Sequence, residues 1–498
     1  MKSIFLKVIS ILIIFGIFSI SSTGIFSAPP EKPQGEMGDR PGSSSSSSNV
    51  THSGKTIISE EKNVENVEYS SSTSSENALI VEKAKVNINN ISLSKTGDSD
   101  GDESDFYGTN AGIFCYNDGI LSINGGKITT NGSHANAVFA YNSGVINISD
   151  VEIKTEGNNS GAVMVTGGGT LNANNVSAET SGNSSAPIRS DRGGGILTVN
   201  KGKYTSHGTG SPVIYSTADI TVNDAKLTST ASEGVVVEGK NSVTLNNVEM
   251  EATNTKLNGN SETYKSIFIY QSMSGDADVG TSTFKSKDSE IVNNKGEIIY
   301  VTNTSTVIEL ENNEIVNNDE NGGFLKIGAA KWGTSGKNGG EVVLNAKNQK
   351  IEGDIIVDNI STLELNLTND SILKSAVNKE NTAKSITLSM DESSTFILTS
   401  DTYITTLKNE LSDNSNINLN GYTLTVGNEK ITNTNYRGDN AVTITQESNE
   451  NSNTEIVTIE KDESSNSNMI IIIAISAGVV ICISVVIIIL FKKKKSNK

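Results

Sequence analysis

Ile113, Val138, Val163, Ile188, Ile214 and Val236 recur about 22–26 residues apart, a fixed spacing in the range that marks a solenoid. They sit on successive lines of one pattern: GIFCYNDGILSINGG from Gly112, AVFAYNSGVINISD from Ala137, AVMVTGGGTLNANN from Ala162, PIRSDRGGGILTVN from Pro187. Each line holds two or three short runs of alternating apolar and polar residues, rich in Val, Ile and Thr. Gly, Asn, Asp or Ser separates the runs. This is strand and turn chemistry with no helical period. One such coil has nothing to bury its apolar face against, whereas stacked coils bury each other's. The expected fold is therefore all-β, a right-handed parallel β-helix.

Composition agrees with thin coils. Aromatic residues make up 5% of the 498 and there are 45 glycines, so a bulky core is not expected. The formal net charge of −18 disfavours nucleic acid as a partner. Cys115 lies in the first clear coil and Cys482 in a distant apolar run, so no disulfide is expected.

The chain divides by composition. Residues 1–28 read as a signal peptide, with Lys2 and Lys7 ahead of the apolar run Val8–Phe18. Residues 29–55, with the serine run Ser43–Ser48, read as a disordered Pro/Gly/Ser linker. The solenoid is expected over 56–427. Thr56–Leu93 is a candidate cap, 111–254 the regular coils, 255–345 loops and an insert, and 346–427 a β segment closing the far end. Residues 428–468 read as a polar, acidic stalk. Residues 469–491 are apolar for long enough to cross a hydrocarbon layer of about 30 Å as a helix. Lys492–Lys495 follow, so 492–498 is expected to be a cytoplasmic tail and the solenoid extracellular at a plasma membrane. No LPxTG-type motif precedes the span, so exchange for a wall link is not expected.

Candidate sites are few. In IRSDRGGG, Arg189 and Asp191 fall on alternate strand positions and face the same way, with Arg192 beside them. Two guanidinium groups and a carboxylate suit binding or deprotonation of an acidic sugar. The same residues also suit a ladder that only fixes stacked turns. Tyr215 aligns with Arg189 one coil later. Trp332, the only tryptophan, sits in GAAKWGTSGKNGG, either stacking on a sugar or covering the core edge. Asp98, Asp100 and Asp102 have the one-three-five spacing of a calcium loop. Glu103 stands where the sharp-turn Gly belongs and Thr109 where a bidentate carboxylate belongs, so only a looser Ca²⁺ site between coils remains open. Asp276 and Asp278 form a D-x-D. His52, His134 and His207 are isolated in sequence, which argues against a catalytic triad or metal set. Eleven N-x-S/T triplets occur, as many as a chain this rich in Asn, Ser and Thr produces by chance.

The segments IRSDRGGG (Ile188–Gly195), SPVIYSTADI (Ser211–Ile220), EGVVVEGKNSVTLNN (Glu233–Asn247), IYQSMSGDADVG (Ile269–Gly280), NAKNQKIEGDIIVD (Asn345–Asp358) and LNGYTLTVG (Leu419–Gly427) resemble bacterial adhesin-like surface proteins of pectin-lyase-like architecture. The resemblance implies a right-handed β-helix at a cell surface and no particular reaction. Three functions are consistent with this reading. The first is a membrane-anchored surface protein binding glycans or other surface polymers through the solenoid flank and loops. The second is a surface polysaccharide lyase or hydrolase using Arg189, Asp191 and Arg192. The third is a passive coat or spacer.

Overall fold

A computed structural model describes residues 50–101, 103–257 and 261–438. The signal segment, most of the linker and stalk, the apolar run 469–491, the lysine tail, Cys482 and Asp102 lie outside the described residues. Among the described residues no helix is long and apolar enough to cross a membrane.

The chain winds into a right-handed parallel β-solenoid of about 15 turns. One face is a sheet of twelve parallel strands, running from Gly54–Ile58 to Ile355–Val357, with one short strand per coil. The rest of each coil is built from longer strands such as Ile120–Thr130 and Val145–Thr155, paired in parallel and in step with the next coil. Inward positions of the twelve-stranded sheet stack as Leu79, Ile113, Val138, Val163, Ile188, Ile214 and Val235, then Ile267, Ile299, Leu325 and Ile355. None is more than 1% exposed. Each such side chain contributes roughly 1.5–3 kcal/mol of burial.

The structure corrects one member of the expected column. Val235, not Val236, continues it; Val236 faces outward beside Tyr215 and Phe268. Both faces of Val235–Val237 are apolar, so alternation alone does not say which valine points inward.

The long strands bend because one residue per coil is left-handed. Asn66, Asn90, Gly125, Asp150, Asn175, Lys201, Asp224, Asn247, Asp288, Asn312, Asn348 and Asn369 stack at this bend, with φ between 46° and 75°. Asn, Asp and Gly enter this region most cheaply. Their side chains then bond along the solenoid axis: Asn90 Nδ2 to Asn66 Oδ1 at 2.7 Å, Asn175 to Asp150 at 2.6 Å, Asn247 to Asp224 at 2.7 Å, Asn312 to Asp288 at 2.7 Å. Lys201 occupies the column without such a bond being evident.

A second corner explains two of the N-x-S triplets. Ser160 and Ser185 are fully buried. Ser160 Oγ donates to Gly132 O (3.0 Å) and accepts from Ala135 N (2.9 Å); Ser185 Oγ donates to Gly157 O (3.0 Å) and accepts from Ser160 N (3.0 Å). Asn158-Asn159-Ser160 and Asn183-Ser184-Ser185 thus recur because the corner needs a left-handed middle residue and a buried hydroxyl. Chance frequency is not the whole account of them.

Regularity extends beyond 111–254. Gly54–Ile58 already pairs in parallel with Asn77–Glu82, so Thr56–Leu93 forms the first coils of the solenoid. Beyond residue 254 the coils continue, and the loosened pattern comes from inserted loops at 271–280 and 328–339. Residues 346–427 likewise carry further parallel pairings, and among the described residues only Glu429–Ile431 turns back antiparallel, on Leu424–Val426.

Candidate functional site

Outward positions of the twelve-stranded sheet form their own column: Ile80, Phe114, Phe139, Met164, Arg189, Tyr215, Val236, Phe268, Tyr300, Lys326 and Ile356. Most of these side chains are covered: Phe114, Phe139 and Met164 are fully buried and Phe268 and Tyr300 nearly so, forming two small apolar clusters outside the main core. Two stretches fold across it. One carries the short helix Glu103–Tyr107; the other is the loop 271–280.

Between them is a pocket of about 460 Å³ whose lining includes Asp105, Phe106, Arg189, Asp191, Arg192, Tyr215, Tyr270 and Asp276. Arg189 is its centre. Nη2 donates to Asp191 Oδ2 at 3.1 Å, and Nη1 donates to Asn159 O at 3.0 Å and Asp105 Oδ1 at 3.4 Å. The expected common direction of Arg189 and Asp191 is therefore met, as is the alignment of Arg189 with Tyr215. Burial disfavours the guanidinium charge, but Asp105 and Asp191 outweigh that and raise its pKa. Burial pushes the Asp191 carboxyl up to about 6, against the pull of Arg189 and with added push from Asp105 and Asp276.

Arg192 points into a more open region. Nη2 donates to Asp276 Oδ1 at 2.8 Å, and the guanidinium lies 4.0 Å from the centre of the Phe106 ring. Arg192 thus ties together the two stretches that cross the face. Along the column, Tyr215 and Tyr270 donate their hydroxyls to Glu238 Oε2 at 2.6 and 2.9 Å. Burial, with Glu238 adding to it, holds both phenols far above their usual range.

Asp105, His134, Glu238 and Tyr270 were missed in sequence. His134 is not isolated in space: Nδ1 lies 2.7 Å from Asp105 Oδ2, and Nε2 lies 3.2 Å from Asn159 Nδ2. The D-x-D is split by the fold, since Asp276 pairs with Arg192 while Asp278 pairs with Lys240 at 2.9 Å. Trp332 packs against the buried cluster of Val236, Phe268 and Tyr300. Its ring packs 5.3 Å from Phe268 and 5.1 Å from Tyr270, half-buried on the outer aromatic column. Tyr270 belongs to both the pocket and this aromatic group.

Asp98 accepts the backbone N–H of Ser133 at 2.8 Å, Asp100 is exposed, and Asp102 lies outside the described residues. Among the described residues no group of three His, Cys, Asp or Glu side chains is set to hold a metal ion. Cys115 is buried in the core, and burial pushes its thiol up to about 12.

The fold and flank define a parallel β-solenoid with a loop-crossed, aromatic and charged pocket on one face. Comparison adds no closer identity: no protein-family model, curated protein or solved structure matches the chain.

Proposed function

We propose that this is a membrane-anchored, adhesin-like cell-surface protein that binds a glycan on the outer face of its twelve-stranded sheet. The observation that carries the reading is the pocket joined through Tyr270 to the aromatic group around Trp332. Aromatic rings offer flat apolar faces to sugar rings, and a few polar groups at the edge fix orientation. The apolar run 469–491 and its lysines supply the anchor in this reading. Catalysis fits less well, because both guanidinium groups are held by carboxylates of the protein itself. Screening the full chain in detergent on a glycan array, then titrating hits with the Trp332→Ala variant, tests the proposal. Absence of binding to every glycan sinks it.

One observation favours a second reading, a surface polysaccharide lyase or hydrolase: the Asp191 carboxyl, raised to about 6, titrates in the range useful to a general acid or base. Turnover of pectic or other acidic polysaccharides, abolished in Asp191→Ala, is the result that reading requires.

A further inference from the structure

The charges of the pocket do not balance. Asp105, Asp191 and Asp276 line it against Arg189 and Arg192, and Glu238 stands behind Tyr215 and Tyr270. Every cation is already engaged. Arg189 is bonded to Asp105 and Asp191, and Arg192 to Asp276 while it covers Phe106. An incoming carboxylate or sulfate therefore meets three carboxylates against two guanidinium groups that are already paired. A neutral sugar pays no such penalty.

The groups facing Asp191 come from several elements. They are Arg189 and the Arg192 backbone N–H on its own coil, Asp105 on the helix Glu103–Tyr107, and Asp276 on the loop 271–280. Asp105 in turn faces His134, Asn136 and Arg189. Tyr107 and Tyr215 complete the neighbourhood of the two arginines.

We propose that this pocket is a charge filter governed by protonation of Asp191: near neutral pH it admits neutral glycans and turns away polyanionic ones, and mild acid removes the barrier. The inference deepens the glycan-binding reading and rests on it for the ligand, but the filter itself is measurable without any glycan. The raised carboxyl of Asp191 places the change near pH 6. His134 stands against Asp105, with Nδ1 2.7 Å from Oδ2.

Trp332 is the only tryptophan of the chain, and its ring lies against the pocket residue Tyr270. Its fluorescence therefore reports on small quenchers near the site. Quenching of the full chain by iodide, divided by quenching by neutral acrylamide, is expected to rise by a factor of up to about 1.5 from pH 7.5 to pH 5.0 as the negative charge of Asp191 is lost. Asp191→Asn is expected to show the high ratio already at pH 7.5 and little change with pH. Asp276→Asn, in a half-buried loop position, is expected to raise the ratio at pH 7.5 and keep the pH response. It serves as the check should Asp191→Asn fail to fold by circular dichroism. A ratio that does not change with pH in the native protein overturns the proposal. So does a folded Asp191→Asn protein that keeps the native response. Titrations with a neutral and a galacturonate oligosaccharide at both pH values then test the consequence for ligands. If neither binds while the quenching behaves as stated, the glycan reading falls and the filter stands. If galacturonate binds as well as the neutral oligosaccharide at pH 7.5, the filter falls.

Discussion

Asp105 and Arg189 stand 84 residues apart in the chain and 3.4 Å apart in the fold. The pair links the helix Glu103–Tyr107 to the middle of the twelve-stranded sheet, and both side chains are buried. A buried ion pair is not a large net source of stability, yet removing one partner strands the other. Arg189→Ala is expected to cost about 3–5 kcal/mol, because Asp105 and Asp191 lose their common cation. The double variant Arg189→Ala/Asp191→Ala is expected to cost less than the sum of the two single changes. Denaturant unfolding in a double-mutant cycle checks this, and simple additivity counts against a coupled cluster.

Asp191 makes stability depend on pH. Its folded pKa of about 6 lies above the ordinary 3.8, so the folded state holds its proton more tightly. The contribution is fully present below about pH 4 and is lost as pH rises through about 6, a change on the order of 3 kcal/mol. Unfolding measured from pH 4 to 7 should show this slope in the native protein, and Asp191→Asn should lack it. The slope persisting in the variant assigns it to another group.

Ile214 and Tyr215 are neighbours in sequence with opposite roles, one inward and one outward. Ile214→Ala empties part of the continuous core and is expected to cost about 2–5 kcal/mol. Tyr215→Phe removes only the hydroxyl that Glu238 accepts, and is expected to cost about 1–3 kcal/mol while changing the pocket. Thermal unfolding of the two variants, with glycan titration of the second, separates scaffold from site.

Gly157 tests the tight corner. A Cβ there would sit 1.9 Å from Gly132 O, and Gly182 meets Gly157 in the same way at 1.9 Å. Gly157→Ala forces the coils apart and is expected to destabilise by more than 1 kcal/mol despite the small change in size. A melting temperature equal to that of the native protein means the coils are less closely stacked than described.

Much of the architecture was legible because a parallel solenoid repeats its chemistry. Each coil meets a near copy of itself, so the inward column from Ile113 to Ile214 shows directly as a period. The bend column shows as recurring Asn, Asp and Gly. The step from Val235 to Val236 was misread because both faces of that strand are apolar. Beyond residue 254 inserted loops stretch the period, yet Glu297–Thr302 and Leu325–Ile327 stack in the same register as the coils before.

The site was legible only where one coil contains it. Arg189, Asp191, Arg192 and Tyr215 lie on one or two adjacent coils and were found. Asp105 and Asp276 each lie 84 residues from the arginine they meet, and Glu238, although on the coil after Tyr215, joins the site only through the hydroxyls of Tyr215 and Tyr270. Periodicity does not report where a loop folds back, since loops are set by which surface they cover and not by the coil repeat.

The amino-acid order alone determined that this chain stacks short strands into a solenoid, because apolar alternation and left-handed turn residues act locally and repeat. Only the tertiary structure decided that one outer face is aromatic, that two loops cross it, and that three carboxylates share two guanidinium groups beneath them. Those facts depend on distances between residues remote in sequence, and charge, burial and pKa take their values from such distances.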